Sequence, residues 1–79
     1  MKELQVSFDT ILDVEQFVRI ATAANGSVRV SMGDRFTNGK SIMSLIAMGL
    51  GHTLTVTYDG PEEAGCAFAQ EIAVFSPKD

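Results

Sequence analysis

Four stretches of the chain show the strand-like alternation of apolar and polar residues that buries one face of a sheet. Three of them carry their apolar residues at Leu4, Val6 and Phe8, at Val28, Val30 and Met32, and at Leu54, Val56 and Tyr58. The remaining stretch is a short strand over residues 35–37, which follows Gly33 and Asp34. Because glycine and aspartate favour tight turns, the second and third strands are predicted to form a hairpin.

Three intervening segments have the three- and four-residue spacing of amphipathic helices. Their apolar stripes are Val14, Phe17, Val18 and Ala21; Ile42, Leu45 and Ile46; and Ala64, Phe68, Ile72 and Phe75. Asp13 and Gln16 resemble a capping box at the first helix, with Asp9 or Thr10 as alternative caps. The second helix is predicted over Ser41 to Met48, and the third follows Asp59, Gly60 and Pro61, read as its cap and first turn.

The resulting order, βαββαβα, predicts an α+β fold with one four-stranded antiparallel sheet covered on one face by three helices. Seventy-nine residues, 46 % of them hydrophobic, suffice for one core, so we expect a single domain over residues 1–79. A multi-domain enzyme with a deep cleft is excluded by this length.

Charge and cysteine usage narrow the function further. The formal net charge of −4 disfavours binding to nucleic acid or to an anionic membrane surface. Cys66 and His52 are the only cysteine and histidine, which excludes an intrachain disulfide and a Cys/His metal cluster, and no cofactor is expected. We interpret Cys66 as a small hydrophobic residue. The N-terminus contains no predicted signal peptide or membrane span, so a cytoplasmic location is expected.

Gly39, Lys40 and Ser41 precede an apolar segment, as do the three residues that end a phosphate-binding P-loop. That loop also requires a glycine five residues before Gly39, where its amides curl around the phosphates. Asp34 occupies that position, and Gly33 misses the register by one residue. A carboxylate there would repel phosphate, so no nucleotide site is predicted.

Ser41, at the predicted start of the second helix, has two interpretations. Serine is a preferred N-cap, because its hydroxyl can accept a hydrogen bond from a free amide of the first turn. Phosphate is favoured at a helix N-terminus for the same reason, so the residue also suits a regulatory phosphorylation site. The residue types alone leave both interpretations open.

Four apolar side chains surround this short helix in too many directions for all of them to be buried. They are Ile42, Met43, Ile46 and Met48. Methionine on the rim of a helix provides an adaptable docking surface. We expect Met43 to be exposed and to bind a partner, whereas for Met48 the sequence favours neither core nor surface.

The element order and the run KSIMSLIAMGL resemble the HPr family, the small histidine phosphocarriers of the bacterial sugar phosphotransferase system. Residues 40–43 match the Lys-Ser-Ile-Met sequence of Gram-positive members, and residues 16–18 match QFV of the family's first helix. The resemblance implies that Ser41 is phosphorylated by a dedicated kinase and dephosphorylated by a phosphorylase, to signal carbon status. It also implies which residues bind partner proteins: Lys40, Ile42, Met43 and Ile46.

The family's carrier motif, Gly-Leu-His-Thr-Arg-Pro-Ala, is missing. Aligned through QFV, its histidine falls on Thr10, its arginine on Leu12 and its proline on Asp13. A phosphothreonine ester is stable and cannot readily pass its phosphate onward, whereas a phosphohistidine can. Leu12 lacks the guanidinium that would hold the phosphoryl group, and Asp9 and Asp13 add negative charge. We therefore expect Thr10 to be a degenerate carrier position that caps the first helix.

The function that this resemblance and the missing motif imply is a regulatory or protein-interaction module without phosphocarrier activity, switched at Ser41. The protein is therefore expected to bind partners and not to be an enzyme. By resemblance its partners would be the serine kinase and phosphorylase, a carbon-control regulator, or phosphotransferase components. One alternative is a phosphotransfer intermediate that uses His52, although His52 lies near the start of the fourth strand and away from a helix N-terminus. Another is a degenerate domain in which neither phosphorylation site functions.

Overall fold

The computed structural model describes residues 2–77. Within them the chain forms four strands and three helices in the predicted order. The strands are β1 (Lys2–Ser7), β2 (Ser27–Met32), β3 (Arg35–Asn38) and β4 (Thr53–Asp59). The helices are α1 (Ile11–Ala23), α2 (Ile42–Met48) and α3 (Glu62–Ile72), and a 3-10 turn, Ala73–Phe75, follows α3. The predicted βαββαβα order is confirmed.

The strands form one antiparallel sheet in the order β1-β4-β2-β3. The hairpin between β2 and β3 turns at Gly33, whose φ of 62° lies in the region that glycine adopts most readily. The helices cover one face of the sheet, where alternate strand residues such as Val6, Val30 and Val56 are buried. The predicted open-faced sandwich is confirmed.

Aromatic side chains from both layers join the helices to the sheet. Phe8, at the end of β1, lies with its ring centroid 5.1 Å from that of Phe17 in α1 and 5.5 Å from that of Phe75. Tyr58 of β4 stacks on Phe68 of α3 at 5.3 Å. This packing fixes α1 against β1, and it therefore positions the turn over residues 9–10 where α1 begins.

Several local predictions need correction. Helix α1 begins at Ile11 with Thr10 as its N-cap, which confirms Thr10 among the predicted caps; the capping box pairs Thr10 with Asp13, and the predicted pairing of Asp13 with Gln16 is wrong. Pro61 is the N-cap of α3 and lies outside its first turn. Cys66 is exposed, because the buried side of α3 passes through Gly65 and Phe68. It is therefore not a small hydrophobic residue of the core.

Two further features bear on function. No helix of residues 2–77 is both long and apolar enough to cross a membrane. Within the same residues, no group of three or more histidine, cysteine, aspartate or glutamate side chains is arranged to hold a metal ion.

Candidate functional site

The start of α1 is closed by reciprocal hydrogen bonds between Thr10 and Asp13. The amide of Asp13 donates to Thr10 Oγ1 at 3.2 Å, and the amide of Thr10 donates to Asp13 Oδ2 at 3.3 Å. Asp13 Oδ2 also accepts from the amide of Asp9 at 3.0 Å. This capping box satisfies backbone donors that would otherwise point into solvent. The Asp13 carboxylate therefore accepts hydrogen bonds from the amides of Asp9 and Thr10, the two residues that precede α1.

The surface beside this capping box is acidic. A depression of about 480 Å³ is lined by Ser7, Asp9, Asp13, Gln16, Gly51, Val74, Phe75 and Ser76. This lining contains two carboxylates and no basic side chain, so an arriving phosphoryl group would be repelled. Leu12, at the position of the family's arginine, is 62 % exposed and provides only apolar surface.

The loop that leads to His52 lies beside the chain that enters α1. The amide of Gly51 donates to the carbonyl of Phe8 at 2.7 Å, which brings the loop before β4 beside the chain that enters α1. His52 is exposed, as predicted for a polar residue at a loop end, and its imidazole lies against Gly49. Its side chain does not line the acidic depression.

The turn into α2 explains the Gly39-Lys40-Ser41 sequence without a nucleotide. The amide of Gly39 donates to the carbonyl of Val28 at 2.8 Å, and a Cβ at this position would collide with the Val28 side chain. Asn38 Oδ1 accepts from the amide of Lys40 at 2.9 Å, as in turns that asparagine stabilises. Lys40 is exposed, and its Nζ donates to the carbonyl of Gly26 at 3.3 Å.

Ser41 is the N-cap residue of α2, but the predicted capping hydrogen bond is wrong. The side chain of Ser41 accepts no backbone amide of the first turn. Its hydroxyl instead donates to Ser44 Oγ at 3.1 Å, and both side chains are half-buried. Ser44 is the third residue of α2, where a capping serine would accept its amide. The Ser44 hydroxyl offers the Ser41 side chain an alternative partner at the same position.

The apolar residues of α2 divide between surface and core. Met43 is 79 % exposed and Ile42 is 37 % exposed. Ile46 is half-buried and packs against the core, so it presents less docking surface than Met43 does. Met48 is only 5 % exposed, which assigns it to the core.

A groove between α1 and α2 was not predicted from the sequence. It has a volume of about 540 Å³ and is lined by Glu15, Val18, Arg19, Thr22, Ala23 and Ile42. Glu15, Arg19 and Thr22 follow one another at spacings of four and three residues on the outward side of α1, which was the available signal. The sequence does not show that this side of α1 faces Ile42, because that depends on how the two helices pack.

The candidate residues therefore form two regions. Lys40, Ser41, Ile42 and Met43 are contiguous at the start of α2, and Ile42 reaches the outward side of α1. Thr10 lies at the start of α1, and the hydrogen bonds of residues 2–77 do not join it to Ser41.

Comparisons with known proteins agree with the fold. The family model described as the PTS HPr component phosphorylation site matches residues 14–74. A crystal structure of HPr-C-His from Thermoanaerobacter tengcongensis is similar, with a TM-score of 0.73 and 25 % sequence identity. That similarity covers 100 % of this chain and 99 % of the other. A search of curated proteins found no match. Because the family model matches most of the chain, this protein belongs to the HPr family of the phosphotransferase system.

Proposed function

We propose that this HPr-family protein is a regulatory interaction module without histidine phosphocarrier activity. The observation that carries the proposal is the capping box at the start of α1, where Thr10 aligns with the family's carrier histidine. Thr10 Oγ1 accepts the amide of Asp13, and the Asp13 carboxylate accepts two amides in return. A phosphoryl group at this position would meet a carboxylate and would have no imidazole to bond. The family match begins at residue 14, directly after these positions.

The proposed docking surface consists of Lys40, Ile42, Met43 and Ile46. The exposure of Met43 and Ile42 supports it, since large apolar side chains on a surface favour association with a partner. Ile46 contributes its exposed edge only, because the rest of its side chain packs against the core. Lys40 provides a cation beside the apolar residues.

Phosphorylation of Ser41 is the proposed switch of this surface. Ser41 directly precedes Ile42 and Met43, so a phosphate there would add charge beside the docking side chains. The phosphate changes the affinity for a partner only if the partner interacts differently with the phosphorylated and the unphosphorylated surface. The proposed partners are those that the family resemblance implies: the serine kinase and phosphorylase, and a carbon-control regulator or phosphotransferase components in the cytoplasm.

Two incubations test the proposal. One contains labelled phosphoenolpyruvate and the general phosphotransferase enzyme, and the other contains labelled ATP and the serine kinase. The proposal predicts label only in the second, at Ser41, located by mass spectrometry. Label on His52 in the first incubation would favour phosphotransfer through an unorthodox acceptor. The hydrogen bond from the Gly51 amide to the Phe8 carbonyl would support that outcome, because it holds the loop before His52 beside the start of α1. An absence of label in both would favour a degenerate domain.

A further inference from the structure

Strand β3 is one edge of the sheet, and part of its main chain points away from the neighbouring strand β2. In an antiparallel pair only alternate residues exchange main-chain hydrogen bonds with the other strand. The amide of Gly39 donates to the carbonyl of Val28, so the register of β2 with β3 makes Thr37 the next residue that bonds to β2. The amides and carbonyls of Phe36 and Asn38 therefore point outward from the sheet.

Three of these four outward groups have no partner in the described part of the chain. The carbonyl of Asn38 accepts the amide of Ser41 at 3.2 Å. Outside the helices and the sheet, no hydrogen bond of residues 2–77 uses the amide of Asn38 or either main-chain group of Phe36. An edge with free amides and a free carbonyl can pair with an added extended strand.

The side chains beside this edge form an apolar and basic surface on the face of the sheet that the helices leave open. Phe36 is 68 % exposed, and the guanidinium carbon of Arg29 lies 5.7 Å from the centroid of its ring, which is a cation–π contact. Two depressions, of about 460 and 370 Å³, are both lined by Ser27, Arg29 and Phe36. Asp59 also lines the smaller one. These depressions provide room for side chains of a bound segment.

The charge of this region indicates the chemistry of a partner. Residues 27–41 contain one acidic residue, Asp34, although the whole chain has a net charge of −4. Three exposed basic residues lie in the same segment: Arg29, Arg35 and Lys40. Two copies of this chain paired through β3 would bring these like charges together, whereas an acidic strand would be attracted.

We propose that the outer edge of β3 binds an extended, acidic segment of a partner protein by strand addition, with a carboxylate of that segment at Arg29. Main-chain hydrogen bonds to Phe36 and Asn38 provide affinity, and contacts with Arg29 and the Phe36 ring provide specificity. The inference goes beyond the proposed function, because this surface lies at the edge and open face of the sheet and does not depend on Ser41.

The test uses the nitrogen-15-labelled full-length chain and a short peptide, blocked at both ends, in which glutamate alternates with valine. A peptide with lysine in place of glutamate is the control for charge. In an NMR titration the glutamate peptide should shift the amides of Phe36 and Asn38 and slow their exchange with solvent, and the lysine peptide should not. Arg29→Glu should weaken binding about fivefold. Arg19→Glu, the same change at an exposed position of α1, should bind like the parent.

Two substitutions at one position separate the main chain from the ring. The outward amide of Phe36 is not used within the sheet, so Phe36→Pro removes a donor for the partner and leaves the hydrogen bonds between β3 and β2. We expect Phe36→Pro to abolish binding and Phe36→Ala only to weaken it. If Phe36→Pro does not fold, the comparison of Arg29→Glu with Arg19→Glu decides.

Four results would overturn the inference. The first is no shift at Phe36 and Asn38 with the glutamate peptide, and the second is equal binding of the lysine peptide. The third is an equal loss of binding in Arg19→Glu and Arg29→Glu. The last is protection of the same amides without peptide in a concentration-dependent dimer, which would assign this edge to a second copy of the chain.

Discussion

The carboxylate of Asp13 accepts the amide of Thr10 at 3.3 Å, while the hydroxyl of Thr10 accepts the amide of Asp13 at 3.2 Å. In the alignment through QFV that the family resemblance suggests, Asp13 falls on the proline and Thr10 on the histidine of the carrier motif. By that alignment, the capping box would occupy the position at which a carrier receives its phosphoryl group.

The capping box predicts a stability cost for Thr10→Ala. Loss of the hydroxyl leaves the amide of Asp13 without its acceptor, and such changes lower the free energy of unfolding by about 1 kcal/mol. Thr22→Ala is the matched control, because Thr22 is exposed within the same helix and alanine favours helix. Urea denaturation should show a loss for Thr10→Ala and none for Thr22→Ala. Equal midpoints for Thr10→Ala and the parent would contradict the contribution of the cap.

Ser41→Ala should cost less than Thr10→Ala. The Ser41 side chain accepts no amide in α2, so its removal loses only a bond between two hydroxyls. We expect a decrease in the free energy of unfolding of less than about 0.5 kcal/mol, as for other partly exposed changes. Ser41→Asp should be at least as stable as Ser41→Ala, because a carboxylate can cap the same amides. A cost for Ser41→Ala as large as that for Thr10→Ala would restore the capping interpretation.

Met43→Asp should separate docking from folding. Met43 is 79 % exposed in the first turn of α2, where a carboxylate is tolerated, so the melting temperature should change little. Affinity for the carbon-control regulator should fall more than about tenfold, as measured by calorimetry, because a charge would replace an apolar contact. Val74→Asp is the control, since Val74 is 78 % exposed on the turn after α3. Unchanged affinity in Met43→Asp would place the docking surface elsewhere.

Carrier activity should return only when several residues of the family motif are restored together. Thr10→His alone keeps the Asp13 carboxylate and lacks the guanidinium, so its labelling by phosphoenolpyruvate and the general enzyme should stay weak. The combination of Thr10→His, Leu12→Arg and Asp13→Pro removes one of the two carboxylates, leaves that of Asp9, and adds the guanidinium that holds the phosphate. Strong labelling of Thr10→His alone would show that only the missing imidazole prevents transfer.

The spacing of apolar residues was sufficient to predict the fold, because a strand or helix that buries one face must place apolar residues at regular intervals along that face. Leu54, Val56 and Tyr58 alternate, and all three are buried in β4. Cys66 lay outside the predicted stripe of α3 and was interpreted as a small hydrophobic residue; it is exposed, because the buried side of α3 runs through Gly65, where a Cβ would lie 3.1 Å from the Tyr58 ring. A glycine adds no apolar signal to a helical stripe.

The details of the site depended on choices that spacing cannot decide. Ser44 offers Ser41 both an amide and a hydroxyl at the same separation, and the structure has the hydroxyl. The nearness of the loop at His52 to α1 arises from the bond between Gly51 and Phe8, a contact between distant parts of the chain. The exposure of Met43 was predictable because a short helix cannot bury every side.

Labelled phosphoenolpyruvate with the general phosphotransferase enzyme tests most directly whether this HPr-family chain carries phosphate on histidine. An HPr with its carrier histidine, in the same tube, serves as the positive control. We expect acid-labile label on the control protein and none on this chain. Acid-labile phosphate on His52, the only histidine of the sequence, would contradict this expectation.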